Sequence, residues 1–313
     1  MERGKKKFII ILFSIVFIVL VIGICVALYI KDANYKKTYD YKLKVLGYND
    51  EEITEIKKLK DEEIDIILEK VYDSNISTII HKKYFLMKNL DEYLNYLKNN
   101  NKDLDAVIRI VNVGSNKDWY TDYVDTDISL NNLMLTNKFH KLSSDYEPND
   151  LVLISNVYSY GENQKLRRDA YDAFISMFKD AKKEDVTLII NSSYRSYADQ
   201  EETYTKYNTW YGEEETNKLA AKPGFSEHQT GLAVDIQTYN SNRKNFEETT
   251  AFKWLQDNAY KYGFILRYPK NKEYLTGYDY ESWHYRYVGI DIAKEIHDLD
   301  ITFDEYYAYY LEK

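Results

Sequence analysis

Ser226-Glu227-His228-Gln229-Thr230-Gly231-Leu232-Ala233-Val234-Asp235-Ile236 is the stretch on which the reading of this chain turns. A single strand through it would send His228 and Asp235, seven positions apart, to opposite faces. Gly231 offers a break. With a turn there, His228 sits on the incoming loop while Leu232, Val234 and Ile236 enter the core. Asp235 alternates with them and points the other way, into a cleft. A carboxylate flanked on both sides by core residues needs a partner to offset its desolvation. A bound cation is one solution; an arginine or a helix end is the other.

Fifty residues on, Glu281-Ser282-Trp283-His284-Tyr285-Arg286-Tyr287-Val288 reads as a strand. Alternation puts His284, Arg286 and Val288 on one face and Trp283, Tyr285 and Tyr287 on the other. Glu281 precedes the strand, so a turn can bring its carboxylate near the His284 imidazole. Two histidines and one carboxylate, His228, His284 and Asp235, make a regular zinc set of three protein ligands with one position left for water. Zinc lowers the pKa of such a water toward about 7. A nearby carboxylate that is not a ligand, Glu281, then takes the proton and passes it to a leaving amine. Upstream, Asn191-Ser192-Ser193-Tyr194-Arg195-Ser196-Tyr197 follows a buried strand over 186–190, which places Arg195 to clamp a carboxylate in two-pronged fashion.

Around these segments the elements alternate irregularly. Residues 107–111 and 151–154 read as strands, and Leu166, Ala170, Phe174, Phe178 and Ala181 mark a long amphipathic helix. Residues 232–236 form another strand, Phe252, Leu255, Ala259 and Tyr262 a second helix, and 283–288 the last strand. No glycine-rich phosphate loop is present, so the fold class is α+β rather than a doubly wound sheet.

The N-terminal third has a different texture. Residues 8–30 are uncharged and almost wholly apolar, long enough to span a hydrocarbon core of about 30 Å. Arg3, Lys5, Lys6 and Lys7 precede them, which by the positive-inside rule leaves 1–7 as a cytoplasmic tail and everything after Lys31 outside the cell. A cleaved signal peptide has a shorter apolar region, and Cys25 lacks the small preceding residue of a lipoprotein site, so 8–30 reads as an uncleaved transmembrane anchor. Residues 31–103 then form a small helical membrane-proximal region. Asn49 with Glu52 is a capping box, Ile53, Ile56 and Leu59 follow at helical spacing, and Ile64, Ile67, Leu68 and Val71 share one face of a second helix. A third helix covers about 90–97. Two readings of this region stay open, a spacer or wall-binding module and a small helical cap on the main domain, 104–313, with the cap favoured.

Composition narrows the function further. Hydrophobic residues at 44% support a packed core, and the net charge is −9. The first thirty residues carry +3, leaving −12 for the rest, which argues against a nucleic-acid partner. Cys25 is the only cysteine, so thiolate zinc sites and a cysteine nucleophile are excluded. The 33 tyrosines are scattered along the whole chain, which speaks for compositional bias rather than a sugar-stacking surface. His81, His140 and His297 need no functional role.

Ser193-Tyr194-Arg195-Ser196-Tyr197 with Gln200, residues 223–236, and Trp283-His284-Tyr285-Arg286-Tyr287-Val288-Gly289 together resemble the D-alanyl-D-alanine carboxypeptidases of the vancomycin-resistance type and the related L,D-carboxypeptidases of bacterial cell walls. Asn137-Lys138 and residues 148–152 resemble the lead-in strand of that family, and the likeness covers roughly 133–292. It implies the hedgehog/DD-peptidase fold, a mainly antiparallel sheet with flanking helices, and a zinc carboxypeptidase domain over 104–313. It implies Zn2+ held by His228, Asp235 and His284, a catalytic base at Glu281, Arg195 on the substrate's terminal carboxylate, and substrate contacts from Gln200 and Ser226. The implied substrate is the peptidoglycan stem peptide, trimmed of its terminal D-alanine with D,D or L,D specificity. Alternatives are an endopeptidase and a catalytically silent wall-binding module; the silent module is disfavoured because all three ligands and the base are kept. Ser282 stands where the family usually has proline, a change that loosens the turn without removing a functional group.

Overall fold

Short apolar runs interrupted by turn residues give this chain short elements, and the computed structural model describes them for residues 2–312. The side chains of residues 2–6 and 8–11, and with them most of the basic tail and the start of the apolar run, lie outside the described residues. The chain forms two compact units, the first ending at Asp105 and the second beginning at Ala106.

In the first unit a helix runs over Glu2–Tyr35. Its segment Leu12–Tyr35, 24 residues, is long and apolar enough to cross a membrane by length and composition, and none of it is buried. Short helices follow at Tyr39–Leu46, Asp50–Ile56, Asp61–Leu68, Ile76–Ile79 and Leu90–Asn99. The Asn49 side chain accepts from the Glu51 and Glu52 amides while the Glu52 carboxylate accepts from the Asn49 amide at 2.9 Å, which satisfies the free donors at that helix start. Leu43, Ile53, Ile56, Ile64, Ile67 and Tyr93 are buried within this unit. Val71 is not part of that face: its helix ends at Leu68, and the residue is 87% exposed.

The second unit corrects one expectation outright. Residues 107–111 are not a strand but part of a helix, Leu104–Asn112. Val107, Ile108, Ile110 and Val111 are buried, the i, i+1, i+3, i+4 pattern of a helix face, while Arg109 turns aside to pair with Glu305 at 2.6 Å. A five-residue apolar run does not distinguish the two periods by itself.

Among the described residues eight strands follow: β1 (Val124–Asp125), β2 (His140–Lys141), β3 (Leu151–Leu153), β4 (Lys165–Arg167), β5 (Ile189–Ser192), β6 (Ala233–Gln237), β7 (Phe264–Leu266) and β8 (His284–Tyr287). The first two pair in parallel, β3 and β4 pair antiparallel, and the rest form a four-stranded sheet in the order β5-β6-β8-β7. Every neighbouring pair in that sheet is antiparallel. The fold is therefore α+β with mainly antiparallel sheets. Strand β5 starts three residues later than the apolar run over 186–190 suggests.

One face of the sheet makes the main core. Val234, Ile236, Phe264 and Tyr285 pack there with Phe174, Met177 and Phe178 of the helix Arg168–Lys183 and with Phe252 and Leu255 of the helix Thr250–Asn258. Each such side chain contributes about 1.5–3 kcal/mol of burial. Alternation leaves Asp235, His284 and Arg286 on the opposite face, where the functional groups gather.

Candidate active site

Asp235 and His284 are held by the backbone itself. They are directly opposed residues on the neighbouring strands β6 and β8, so their side chains leave the sheet side by side. His284 Nδ1 lies 3.2 Å from Asp235 Oδ1. His228 comes from a single 3-10 turn, Glu227–Thr230, closed by Gly231 at φ +68°. A Cβ at Gly231 would come within 2.9 Å of Leu151 Cδ2 and 3.0 Å of Arg167 Cγ, so both the backbone sign and the space favour glycine. The turn brings His228 Nε2 to 3.5 Å from the same Asp235 oxygen. Potential ligand atoms of His228, Asp235 and His284 all lie within 4.8 Å of one another, and all three residues are buried.

The donor chemistry of this triad fits a cation. His228 Nδ1 sits 2.7 Å from the Ser193 carbonyl oxygen, which only accepts, so Nδ1 carries the hydrogen and Nε2 presents a lone pair. That lone pair faces Asp235 Oδ1, a buried carboxylate oxygen with no hydrogen-bond partner. Two acceptors turned toward each other in a dry site repel unless a positive centre lies between them. The other oxygen, Oδ2, accepts from Arg243 Nη2 at 2.6 Å. Asp235 thus uses both solutions open to a buried carboxylate, an arginine on one oxygen and a cation-ready corner on the other.

His284 is gripped from both sides. Its Nδ1 is 3.4 Å from Glu281 Oε2, and its Nε2 is 3.5 Å from Glu227 Oε2. Glu227 is wholly buried and receives Arg267 Nε at 2.7 Å and Arg286 Nη1 at 3.0 Å on its Oε1. Arg267 in turn forks onto Asp304, and Asp304 Oδ1 also accepts from Asn137 Nδ2 at 2.8 Å. The carboxylate behind the histidine is therefore charged and fixed in place by two buried guanidinium groups.

These contacts set the protonation states. Burial, with the Arg195 charge adding to it, lowers the His228 imidazole to about 4. Burial also works against a charged His284, but the close Asp235, Glu227 and Glu281 carboxylates overcome it and raise His284 to about 9. Burial lifts the Glu281 carboxyl to about 7, opposed by His284 and reinforced by Asp235. Burial works against a charged Asp235, but the neighbouring His228 imidazole and the Arg243 guanidinium outweigh it and hold the carboxyl well below the usual carboxylate range.

Arg195 stands at the exit of β5, its amide bonded to the His228 carbonyl at 3.1 Å. Its Nη1 donates to Gln200 Oε1 at 2.7 Å and its Nη2 to Ser192 Oγ at 2.9 Å. Gln200 donates onward to the Ala221 carbonyl at 2.7 Å. No carboxylate pairs with Arg195 among the described residues, which leaves its charge available, and burial lowers its pKa. A cavity is lined by Arg195, Gln200, Ser226, Asp235, Glu281 and both histidines, so every candidate residue meets in one cleft. Arg243, Trp283, Tyr207 and Tyr268 complete the walls. His140 is part-buried against Tyr307, and His81 and His297 are exposed, all away from this cleft's lining.

Sequence reasoning missed Arg243 and the part played by Glu227. Arg243 lies in an irregular segment between β6 and the helix Thr250–Asn258, where no periodicity points to it. Glu227 stood beside His228 in the opening stretch, and a charged residue between two candidate site residues, Ser226 and His228, was the available clue.

Comparison with known proteins places this cleft in a family context. A family model described as VanY, D-alanyl-D-alanine carboxypeptidase, matches residues 163–290, which include all seven candidate residues. The Bacillus subtilis protein YodJ is 48% identical over 186 residues, covering 56% of this chain and 67% of YodJ, so the match spans about two thirds of that relative. The solved structure of the LdcB LD-carboxypeptidase is similar at TM-score 0.56 and 43% identity, over 60% of this chain and 91% of that one. The VanY D,D-pentapeptidase of a VanB-type resistance cassette, solved in complex with Zn(II), is similar at TM-score 0.50 and 31% identity, over 56% of this chain and 98% of that one.

Proposed function

This chain belongs to the VanY family of D-alanyl-D-alanine carboxypeptidases, and from that premise we propose that it is a zinc carboxypeptidase removing the terminal D-alanine of peptidoglycan stem peptides. The observation that carries this reading is the orphaned Asp235 oxygen set between two buried imidazoles beside a carboxylate and a free guanidinium. His228 through Nε2, Asp235 through Oδ1 and His284 through Nδ1 would hold the zinc. Bound there, it would supply Lewis-acid chemistry and bring the pKa of a water toward about 7.

The protein's own groups do the rest. Arg195, oriented by Gln200 and Ser192, binds the free C-terminal carboxylate, with Ser226 beside it. Glu281 takes the proton from the attacking water and returns it to the leaving amine, a role suited to a carboxyl held near 7. Arg243 and Glu227 keep Asp235 and His284 oriented. The higher identity to an LD-carboxypeptidase favours the tetrapeptide stem over the pentapeptide. Residues 8–30 anchor the chain as a single-pass helix with the basic N-terminus in the cytoplasm and the catalytic unit outside.

Mass spectrometry of products from defined tetrapeptide and pentapeptide stems tests the reaction. The full chain in detergent with zinc releases a single C-terminal alanine; release of a dipeptide, or scission within a cross-link, overturns the reading.

Metal loading gives a second test. His284 must be unprotonated to act as a ligand, yet in the metal-free protein it carries a proton below about 9. Zinc therefore displaces a proton at neutral pH, and its affinity rises about tenfold per pH unit between 7 and 9, then levels off. Competition with a chromogenic chelator across that range measures it. An affinity flat with pH would show that His284 is already neutral or does not ligate.

A further inference from the structure

The helix Tyr197–Tyr211 carries more than the cleft uses. Its residues Gln200, Thr203 and Tyr207, at helical spacing, line the cleft wall. Tyr207 also accepts from Arg243 Nη1 at 3.2 Å, which ties it to the side chain on Asp235. Beyond Tyr207 the same stripe continues as Trp210 and Tyr211, which are 66% and 55% exposed. Their rings lie 5.9 Å from Tyr207, centre to centre, and 6.3 Å from each other. A tryptophan and a tyrosine left in solvent as a continuous ridge from an active-site wall mark a contact surface.

We propose that this ridge binds the glycan to which the stem peptide is attached, an N-acetylhexosamine stacking its apolar face on Trp210 and Tyr211. The inference rests on the reading of the cleft as a stem-peptide carboxypeptidase. Length supports it. Gln200 braces the arginine that takes the free carboxylate, and Trp210 lies ten residues further along the helix, about 15 Å away at 1.5 Å per residue. An extended peptide of four residues spans about 14 Å. A stem whose terminus is held by Arg195 is therefore long enough for its sugar end to meet the ridge.

Charge supports it too. Glu213, Glu214 and Glu215 follow the ridge directly and are exposed. An acidic neighbourhood repels an anionic lipid surface, the other common destination of exposed tryptophan and tyrosine. A hexosamine whose acid arm is consumed by its amide link to the peptide is neutral and meets no such penalty.

The test uses the full chain in detergent micelles, wild type against a Trp210→Ala/Tyr211→Ala double variant. Each is given one stem peptide in two forms, free and attached to its disaccharide. In the double variant, kcat/KM on the disaccharide form falls roughly tenfold, about what loss of two aromatic contacts gives, and kcat/KM on the free peptide is unchanged. Equal losses on both forms, or no loss on either, overturn the proposal. Calorimetric titration with the disaccharide form, done on the zinc-loaded Glu281→Ala chain with and without the double substitution, reads the ridge independently of turnover: affinity falls roughly tenfold when both aromatics are removed, and equal affinities overturn the proposal. Absence of hydrolysis in the wild type would sink the carboxypeptidase reading while leaving that titration to decide the ridge. A defect seen only after reconstitution into anionic vesicles would assign the ridge to lipid instead.

Discussion

Glu281→Ala lowers kcat about a thousandfold, the scale of a general acid–base contribution, while bound zinc stays near one per chain and the fold keeps its stability. The argument for an intact variant is local. Glu281 is not the only carboxylate facing the His284 imidazolium: Nδ1 lies 3.4 Å from Glu281 but 3.2 Å from Asp235, Nε2 lies 3.5 Å from Glu227, and burial pushes the Glu281 carboxyl up to about 7. A carboxyl raised above its unfolded value favours folding only while protonated. Above that value its charge opposes the fold, so truncating it relieves the site rather than loosening it. The proposed ligands His228, Asp235 and His284 are untouched. Stopped assays with a defined stem, metal analysis and a melting curve on the same sample separate the possibilities. Retained turnover removes Glu281 as the base; lost turnover with lost zinc makes it a support of the metal site instead.

Arg267→Met destabilises the second unit by about 3–5 kcal/mol, the penalty for removing one partner of a buried ion pair. Both side chains involved are out of solvent: Arg267 and Glu227 are 0% exposed. Methionine fills much the same volume but leaves Asp304 with the Asn137 amide as its remaining side-chain donor and leaves Glu227 with Arg286 alone. A shift of this size lowers the melting temperature by roughly 10 °C in a unit of about 200 residues. The effect reaches the cleft as well, because Glu227 faces His284 Nε2, and a carboxylate behind a metal-binding imidazole sets its tautomer and angle. Weaker zinc binding therefore accompanies the lost stability. Arg267→Lys, which keeps the charge but not the fork, falls between. Urea denaturation with an unchanged slope and a midpoint near wild type would show that the charges are screened or that Arg286 suffices.

The cluster of candidate residues was legible because strand alternation is a strict rule. Val234 and Ile236 go into the core, so Asp235 cannot, and the same step-of-two logic puts His284 beside Arg286 on that other, likewise buried, face. His228 needed one further idea, the break at Gly231, and the glycine does hold a positive φ there. What stayed hidden depends on contacts across the fold. Arg243 reaches Asp235 from a segment with no pattern, and Glu227 finds Arg267 forty positions away. The helix Leu104–Asn112 was misread because its apolar face is contiguous in sequence. Strand β7 escaped notice because three residues, Phe264-Ile265-Leu266, are too few to show a period.

The pairing of Asp235 with His284 across one rung of the β6–β8 ladder has a consequence for how the protein is made. A slip of one residue between those strands would keep the hydrogen-bonded sheet but turn one of the two side chains toward the hydrophobic layer. Such a chain would show ordinary secondary structure by circular dichroism and yet be unable to capture the ion. Uptake of zinc during refolding is therefore a readout of alignment, and a time course that lags behind the recovery of sheet signal would expose misaligned molecules correcting themselves.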